Sequence, residues 1–143
     1  MLVLLDRHRR DADAFATRLG VPVVETPFAG LAGTPFEVLP LVRSRFWREV
    51  ALWWPERRTL VCGDALGTLG YFRGPDGPLG VHPMLRLKPP RALAGLVPEH
   101  VLVGHGEGVH GPEAAPALAR ALARARRGIP RWLAWAARSL VRP

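Results

Sequence analysis

The 143-residue sequence has a single cysteine, Cys62, so no internal disulfide and no cysteine-based zinc site can form. A reducing, cytoplasmic setting is the default expectation for such a chain. Asparagine and glutamine are absent, Lys88 is the only lysine and Ile129 the only isoleucine. This skew toward Arg, Ala, Gly and Pro points to a GC-rich genome, which inflates arginine without selection for function. The formal net charge of +8 is discounted accordingly, and nucleic acid is not the expected partner. The two serines, Ser44 and Ser139, lie in no Gly-x-Ser-x-Gly elbow, and there is no Walker loop. No run reaches the ~18 apolar residues of a spanning helix. The opening Met1-Leu2-Val3-Leu4-Leu5 has no basic flank and runs straight into Asp6, Arg7 and His8, so it reads as a strand and not as a signal peptide.

Hydrophobic residues make up 48% of the chain, enough for a globular core, and the length fits one domain spanning residues 1–143. The apolar run 2–5 predicts a buried strand. Asp11 stands where a helix cap belongs, Phe15 and Leu19 follow at helical spacing, and Gly20 is the stop. With Val21–Val24 as a second strand, the opening is a βαβ unit that favours a parallel pair. Glu37–Val42, Glu49–Trp54 and Thr59–Cys62 read as strands, the last two joined by a turn at Pro55–Arg58. Residues 63–83 hold six of the 15 glycines and three of the prolines and read as loop. A short helix over Pro90–Leu96, a strand over Val101–Val103 and two C-terminal helices interrupted at Gly128 and Pro130 complete the chain. Strands flanked by helices at both ends suggest a layered α/β or α+β domain.

Three apolar strands end in metal-competent side chains: Asp6, His8 and Asp11 after the first, Asp64 after Cys62, and His105 after Val103. Strand ends can converge on one sheet edge, and carboxylate with imidazole is a common donor set for divalent metals. The weaker candidates are His82 and His100, expected in loops, and His110, a spare ligand or proton shuttle. Cys62, within an apolar strand, is expected to be inert core.

Taken in order, three motifs resemble the metallo-β-lactamase-fold hydrolases. Leu5-Asp6-Arg7-His8-Arg9-Arg10-Asp11 stands where that family has a strand followed by His-x-His-x-Asp-His. Thr59-Leu60-Val61-Cys62-Gly63-Asp64-Ala65-Leu66 matches its strand running into Gly-Asp, and Val101-Leu102-Val103-Gly104-His105-Gly106 its strand running into Gly-His-Gly. Val50-Ala51-Leu52-Trp53-Trp54 with the turn to Leu60 looks like the hairpin between them. The resemblance covers nearly the whole chain. It implies a mixed-sheet α/β (α+β) fold, a partial αββα sandwich with C-terminal helices.

Position by position, the resemblance puts Asp6 at the first histidine, His8 at the second and Arg10 at the motif aspartate, unless the register slips by one and Asp11 fills it. Asp11 otherwise replaces the last histidine of that motif, and Arg45 the histidine of the middle turn. Asp64 keeps the bridging aspartate and His105 the final histidine. The implied cofactor is one zinc, iron or manganese ion, or none. His8, Asp64 and His105 would be its ligands, Asp6 and Asp11 auxiliary, and His8 and Asp64 central to catalysis. Water activated by the ion would attack an ester, thioester, lactone or phosphoester.

Arginine cannot replace a ligand, because guanidinium has no lone pair to give. A unit charge 4 Å from a divalent ion is opposed by about 8 kcal/mol at an effective dielectric near 20. The expectation is therefore a degraded site with weak or absent hydrolysis, in which Arg10 and Arg45 replace metal as the counter-charge of Asp6, Asp11 and Asp64. The family has further strands ahead of its first motif. Either Met1 is not the true start, or part of a sheet is lost and a homodimer or partner chain covers the face left open. Two non-catalytic alternatives stand beside the hydrolase. One is a binding or assembly module of the same fold. The other is a basic C-terminal helix, carrying Arg127, Arg131, Arg138 and Arg142, that binds a membrane surface or nucleic acid.

Overall fold

The computed structural model describes residues 1–141. Strand β1 (Leu2–Val3) pairs in parallel with β2 (Val24–Glu25) across helix α1 (Ala12–Leu19), so the opening βαβ unit forms as the pattern predicts. Gly20 ends α1 in the left-handed region, at φ 64°, where its amide caps the last turn. The buried side of α1 differs from expectation. Ala12 and Ala16 face the interior, while Phe15 and Leu19 stay 55% and 65% exposed.

A five-stranded mixed sheet forms the centre. Its elements are β3 (Glu37–Arg43), β4 (Arg48–Trp54), β5 (Thr59–Val61), β8 (His100–Leu102) and β9 (Val109–His110), arranged in the order β3-β4-β5-β8-β9. All neighbours are antiparallel except β5 and β8, which run in parallel with Leu60 opposite Val101. Pro40 is tolerated because β3 is an edge strand, and the register shifts beside it. The β4–β5 hairpin closes through a short 3₁₀ turn, Pro55–Arg57, with Arg58 at φ 43°. The Arg58 side chain donates to the Val97 carbonyl and pairs with Glu99 at 2.9 Å, tying this turn to the segment that enters β8.

Residues 63–83, expected as loop, contain β6 (Leu66–Gly67), helix α2 (Gly70–Arg73) and β7 (Gly80–Val81), with β6 antiparallel to β7. Glycine density misled the sequence reading because glycine here serves close approach. A Cβ on Gly80 would lie 2.2 Å from the Phe72 carbonyl oxygen, so α2 packs on β7 only if position 80 is bare. Pro90–Leu96 yields only a 3₁₀ turn at Arg91–Leu93.

Helix α3 (Ala114–Arg124) covers one face of the sheet. Its Ala114, Ala117, Leu118 and Ala121 join Leu60, Cys62, Val101, Val81 and Leu93 in one buried cluster. Small residues on the helix bring its backbone close to the strands. The basic α4 (Ile129–Val141) turns aromatic groups onto its own domain: Trp132 Nε1 donates to the Tyr71 carbonyl at 2.8 Å, and Trp135 lies against Gly70. Arg142, counted in the expected basic face, lies outside the described residues. Among the described residues no helix is long and apolar enough to cross a membrane.

Candidate metal centre

Three strand ends converge at one end of the sheet. His8 sits on a 3₁₀ turn (Asp6–His8) after β1, Asp64 follows β5, and His105 follows β8. Parallel pairing sets the second and third side by side, since the register that aligns Val61 with Leu102 carries Asp64 and His105 forward together. Two glycines allow the strands to meet so closely. The Gly104 amide donates to the Gly63 carbonyl at 3.1 Å, and a Cβ at position 104 would stand 3.1 Å from that same oxygen. Gly106, at φ 92°, bends the chain back against Thr68, where a Cβ would lie 2.2 Å from the hydroxyl. Gly106 is thus a steric requirement of the turn that presents His105, and Gly104 makes a tight fit against the Gly63 backbone.

The resulting cluster is tight. His8 Nε2 lies 3.1 Å and His105 Nε2 3.2 Å from the same oxygen, Oδ1 of Asp64. One donor atom from each of the three residues falls within 4.8 Å of the others. Yet Asp64 Oδ1 is buried and accepts no hydrogen bond, because neither ring nitrogen meets it along a hydrogen-bond direction. A buried carboxylate oxygen without a donor is costly unless a cation takes that place. Two imidazole nitrogens and one carboxylate oxygen, all aimed into one small space, form a donor set suited to Zn²⁺, Fe²⁺ or Mn²⁺.

The other expected site residues are not brought into this cluster. Asp6 turns toward β4, where its Oδ2 accepts the Arg48 amide at 3.1 Å; its Oδ1 is buried without a partner. Asp11 stands exposed before α1 and makes no side-chain cap. Arg10 and Arg45 form no ion pair with Asp6, Asp11 or Asp64 among the described residues, so the expected exchange of metal for guanidinium is not built. Arg45 lies over the Phe46 ring at 4.6 Å, and Arg10 lines a surface groove beside His8 and Asp11. The physical reason is reach: both arginines sit on exposed backbone, where the guanidinium finds water or an aromatic face. His110 lies away from the cluster, in β9, and His100 belongs to β8 rather than to a loop.

Two supporting residues stand around the cluster: Glu49, which carried no expected role, and His82, expected only as a loop residue. Glu49 is fully buried on β4; one oxygen accepts the Ala65 amide at 2.9 Å and the other the Trp47 indole N–H at 2.8 Å. It therefore pins the loop that carries Asp64. Burial pushes its carboxyl above the ordinary range, and the nearby Asp64 charge adds to the effect. His82 caps a short turn, its Nδ1 accepting the Met84 amide at 3.2 Å, which leaves the proton of the neutral ring on Nε2. Desolvation among Trp47, Tyr71 and Phe72 lowers its pKa, opposed by Asp64 and aided by Arg7 and His105. Phe72 lies between His82 and His105, with ring centroids 5.4 and 5.5 Å away. The available signal for Glu49 was an acid opening an otherwise apolar run, Val50-Ala51-Leu52.

Among known protein families, curated proteins and solved structures, none matches this chain.

Proposed function

We propose that the chain is a diverged metallo-β-lactamase-like domain whose His8, Asp64 and His105 hold one divalent metal ion and promote hydrolysis of an ester, thioester, lactone or phosphoester. The observation that carries this reading is the orphaned Asp64 Oδ1, buried between two Nε2 atoms at 3.1 and 3.2 Å. The mixed sheet, and the order in which β1, β5 and β8 deliver Asp6–His8, Asp64 and His105, support the resemblance. An ion of this class supplies Lewis-acid polarisation and a lowered pKa for bound water.

The chain's own groups account for the rest. Glu49 fixes the Gly63–Ala65 backbone and hence the direction of Asp64. Phe72 packs against His105 and holds its ring plane. His82, kept neutral by burial, offers an Nε2–H donor beside the cluster. Three protein ligands leave coordination positions open, as in catalytic and not structural sites. With Arg10 and Arg45 outside the cluster, the charge penalty expected from the sequence does not act at close range.

The test is metal content and turnover together. The purified chain, reconstituted with Zn²⁺, should bind one equivalent that Asp64→Ala and His105→Ala each remove. Cleavage of activated aryl esters or phosphodiesters should vanish with chelator and return with metal. Retention of that equivalent in Asp64→Ala would defeat the assignment.

A second reading, assembly as a homodimer, is favoured by one observation: Leu102 and Phe15 remain 39% and 55% exposed on the sheet side away from α3 and on α1. Sedimentation of the wild type against Leu102→Arg measures it; a dimer lost on substitution supports it, and a monomer in both defeats it.

A further inference from the structure

The far end of β8 carries a second pair of imidazoles. His100 opens β8 and lies opposite His110 in the antiparallel β8–β9 ladder. Their Nδ1 atoms approach to 3.0 Å, with ring centroids 5.2 Å apart and planes inclined at 54°. Neither ring has another hydrogen-bond or carboxylate partner among the described residues. Two ring nitrogens at this distance either share one proton, as an N–H···N hydrogen bond between neutral rings, or turn both lone pairs to a cation. His110 is exposed and His100 half-buried, so an ion from solvent can reach them.

We propose that His100 and His110 form a second metal site, independent of the cluster at Asp64, that takes a divalent ion of tetragonal preference, Cu²⁺ before Ni²⁺. The distance selects the geometry. With metal–nitrogen bonds of about 2.0–2.1 Å, two cis ligands at a right angle stand about 2.9 Å apart, whereas tetrahedral ligands stand about 3.3 Å apart. The observed 3.0 Å fits the square arrangement nearly as it stands. Cross-strand pairing fixes both side chains on one face of the sheet, so little freedom is lost on binding. The remaining positions face solvent and accept water or a small exogenous donor.

The site also has a place in the fold. β9 is the last strand of the sheet and only two residues long. The loop between β8 and β9 carries His105, and His100 and His110 pair at the open end of that hairpin, beyond the Val101–Val109 pair. An ion across them closes the hairpin and holds β9 to β8.

The experiment uses the full chain in the Asp64→Ala background, which removes the first site. Titration with Cu²⁺ alone should reveal one equivalent, with an axial electron paramagnetic resonance spectrum carrying hyperfine structure from two nitrogens. Ni²⁺ should bind more weakly and Zn²⁺ more weakly still. His100→Gln and His110→Gln should each weaken Cu²⁺ binding by about tenfold or more, since each removes one arm of a chelate. Equal copper binding with and without His110, or a spectrum with no paired nitrogens, would overturn the proposal. If Asp64→Ala does not fold, the same comparison runs in the wild type between the parent chain and His110→Gln. There, the parent chain should take two equivalents and His110→Gln one, which supports the site, whereas equal numbers of equivalents in the two proteins sink it.

Discussion

On β5 and β8, neighbouring residues of the same chemistry meet opposite fates. Leu60 and Val101 point toward α3 and are completely buried, whereas Leu102, one residue on from Val101, is 39% exposed on the other face. A continuous apolar run in the centre of a sheet usually marks strands covered on both sides. Here α3 covers one side, and the other carries shallow grooves in which Val61 and Leu102 are shared by two neighbouring depressions. The contrast teaches that an apolar run encodes the demand for a second layer without saying what supplies it. It also explains why His8, Asp64 and His105 come together regardless: the Asp64 and His105 turns are fixed by strand pairing and by the α3 side of the core.

The sharpest way to break the comparison is to remove the same side chain from each face. Leu60→Ala should cost about 3–5 kcal/mol, because its cavity opens inside the packed cluster. The readout is the midpoint of chemical denaturation at constant slope. An equally large loss for Leu102→Ala would mean that the outer face is covered in solution, and the difference between faces would disappear.

Glu49 is the one charged side chain buried beside Ala51 on the core side of β4, and it offers the next largest effect. Glu49→Ala strands the Trp47 indole and the Ala65 amide and should cost about 2 kcal/mol. Glu49→Gln, which keeps an acceptor for Ala65, should cost less. The sign of the pH dependence follows from the raised pKa. Above the ordinary value of 4.5 the folded state binds this proton more tightly than the unfolded state, so its contribution falls as pH rises through the folded value. Stability of the wild type should therefore decline over that window relative to Glu49→Gln. Parallel pH profiles for the two proteins would show that Glu49 is charged at no cost in the fold.

Much of this arrangement was legible in the sequence. Val, Leu and Trp runs marked β3, β4, β5 and β8, and Gly20 marked the end of α1. The strand–Gly-Asp and strand–Gly-His-Gly endings pointed to Asp64 and His105, and His8 followed from the first strand. What failed did so for identifiable reasons. Residue type cannot say which way a turn faces, so Asp6 and Asp11 stood as auxiliary ligands beside His8 until the backbone placed them elsewhere. Arg10 and Arg45 were assigned by position in a motif, but long side chains on exposed backbone go where water or a ring receives them. Glycines at 63–83 read as loop, although Gly80 is there to admit Phe72. The pairing of His100 with His110 depends on a tight register between strands of three and two residues, below the length at which alternation gives a signal.

The finest probe of the two faces is a thiol, because it reports access without much disturbing the packing. Cys62 lies on the core side, 3% exposed, and burial together with the Glu49 charge pushes its pKa well above the ordinary thiol range. Both effects suppress the thiolate that reacts. The folded wild type should therefore resist a disulfide reagent such as dithionitrobenzoate and react only as fast as it opens, with one equivalent released in denaturant. Leu102→Cys places a second thiol one strand away on the outer face. It should react within the mixing time of a manual assay while Cys62 stays silent, giving one fast equivalent and one slow. Two slow equivalents would show that something shields Leu102 in solution, and two fast equivalents that the α3 side opens far more readily than its packing implies.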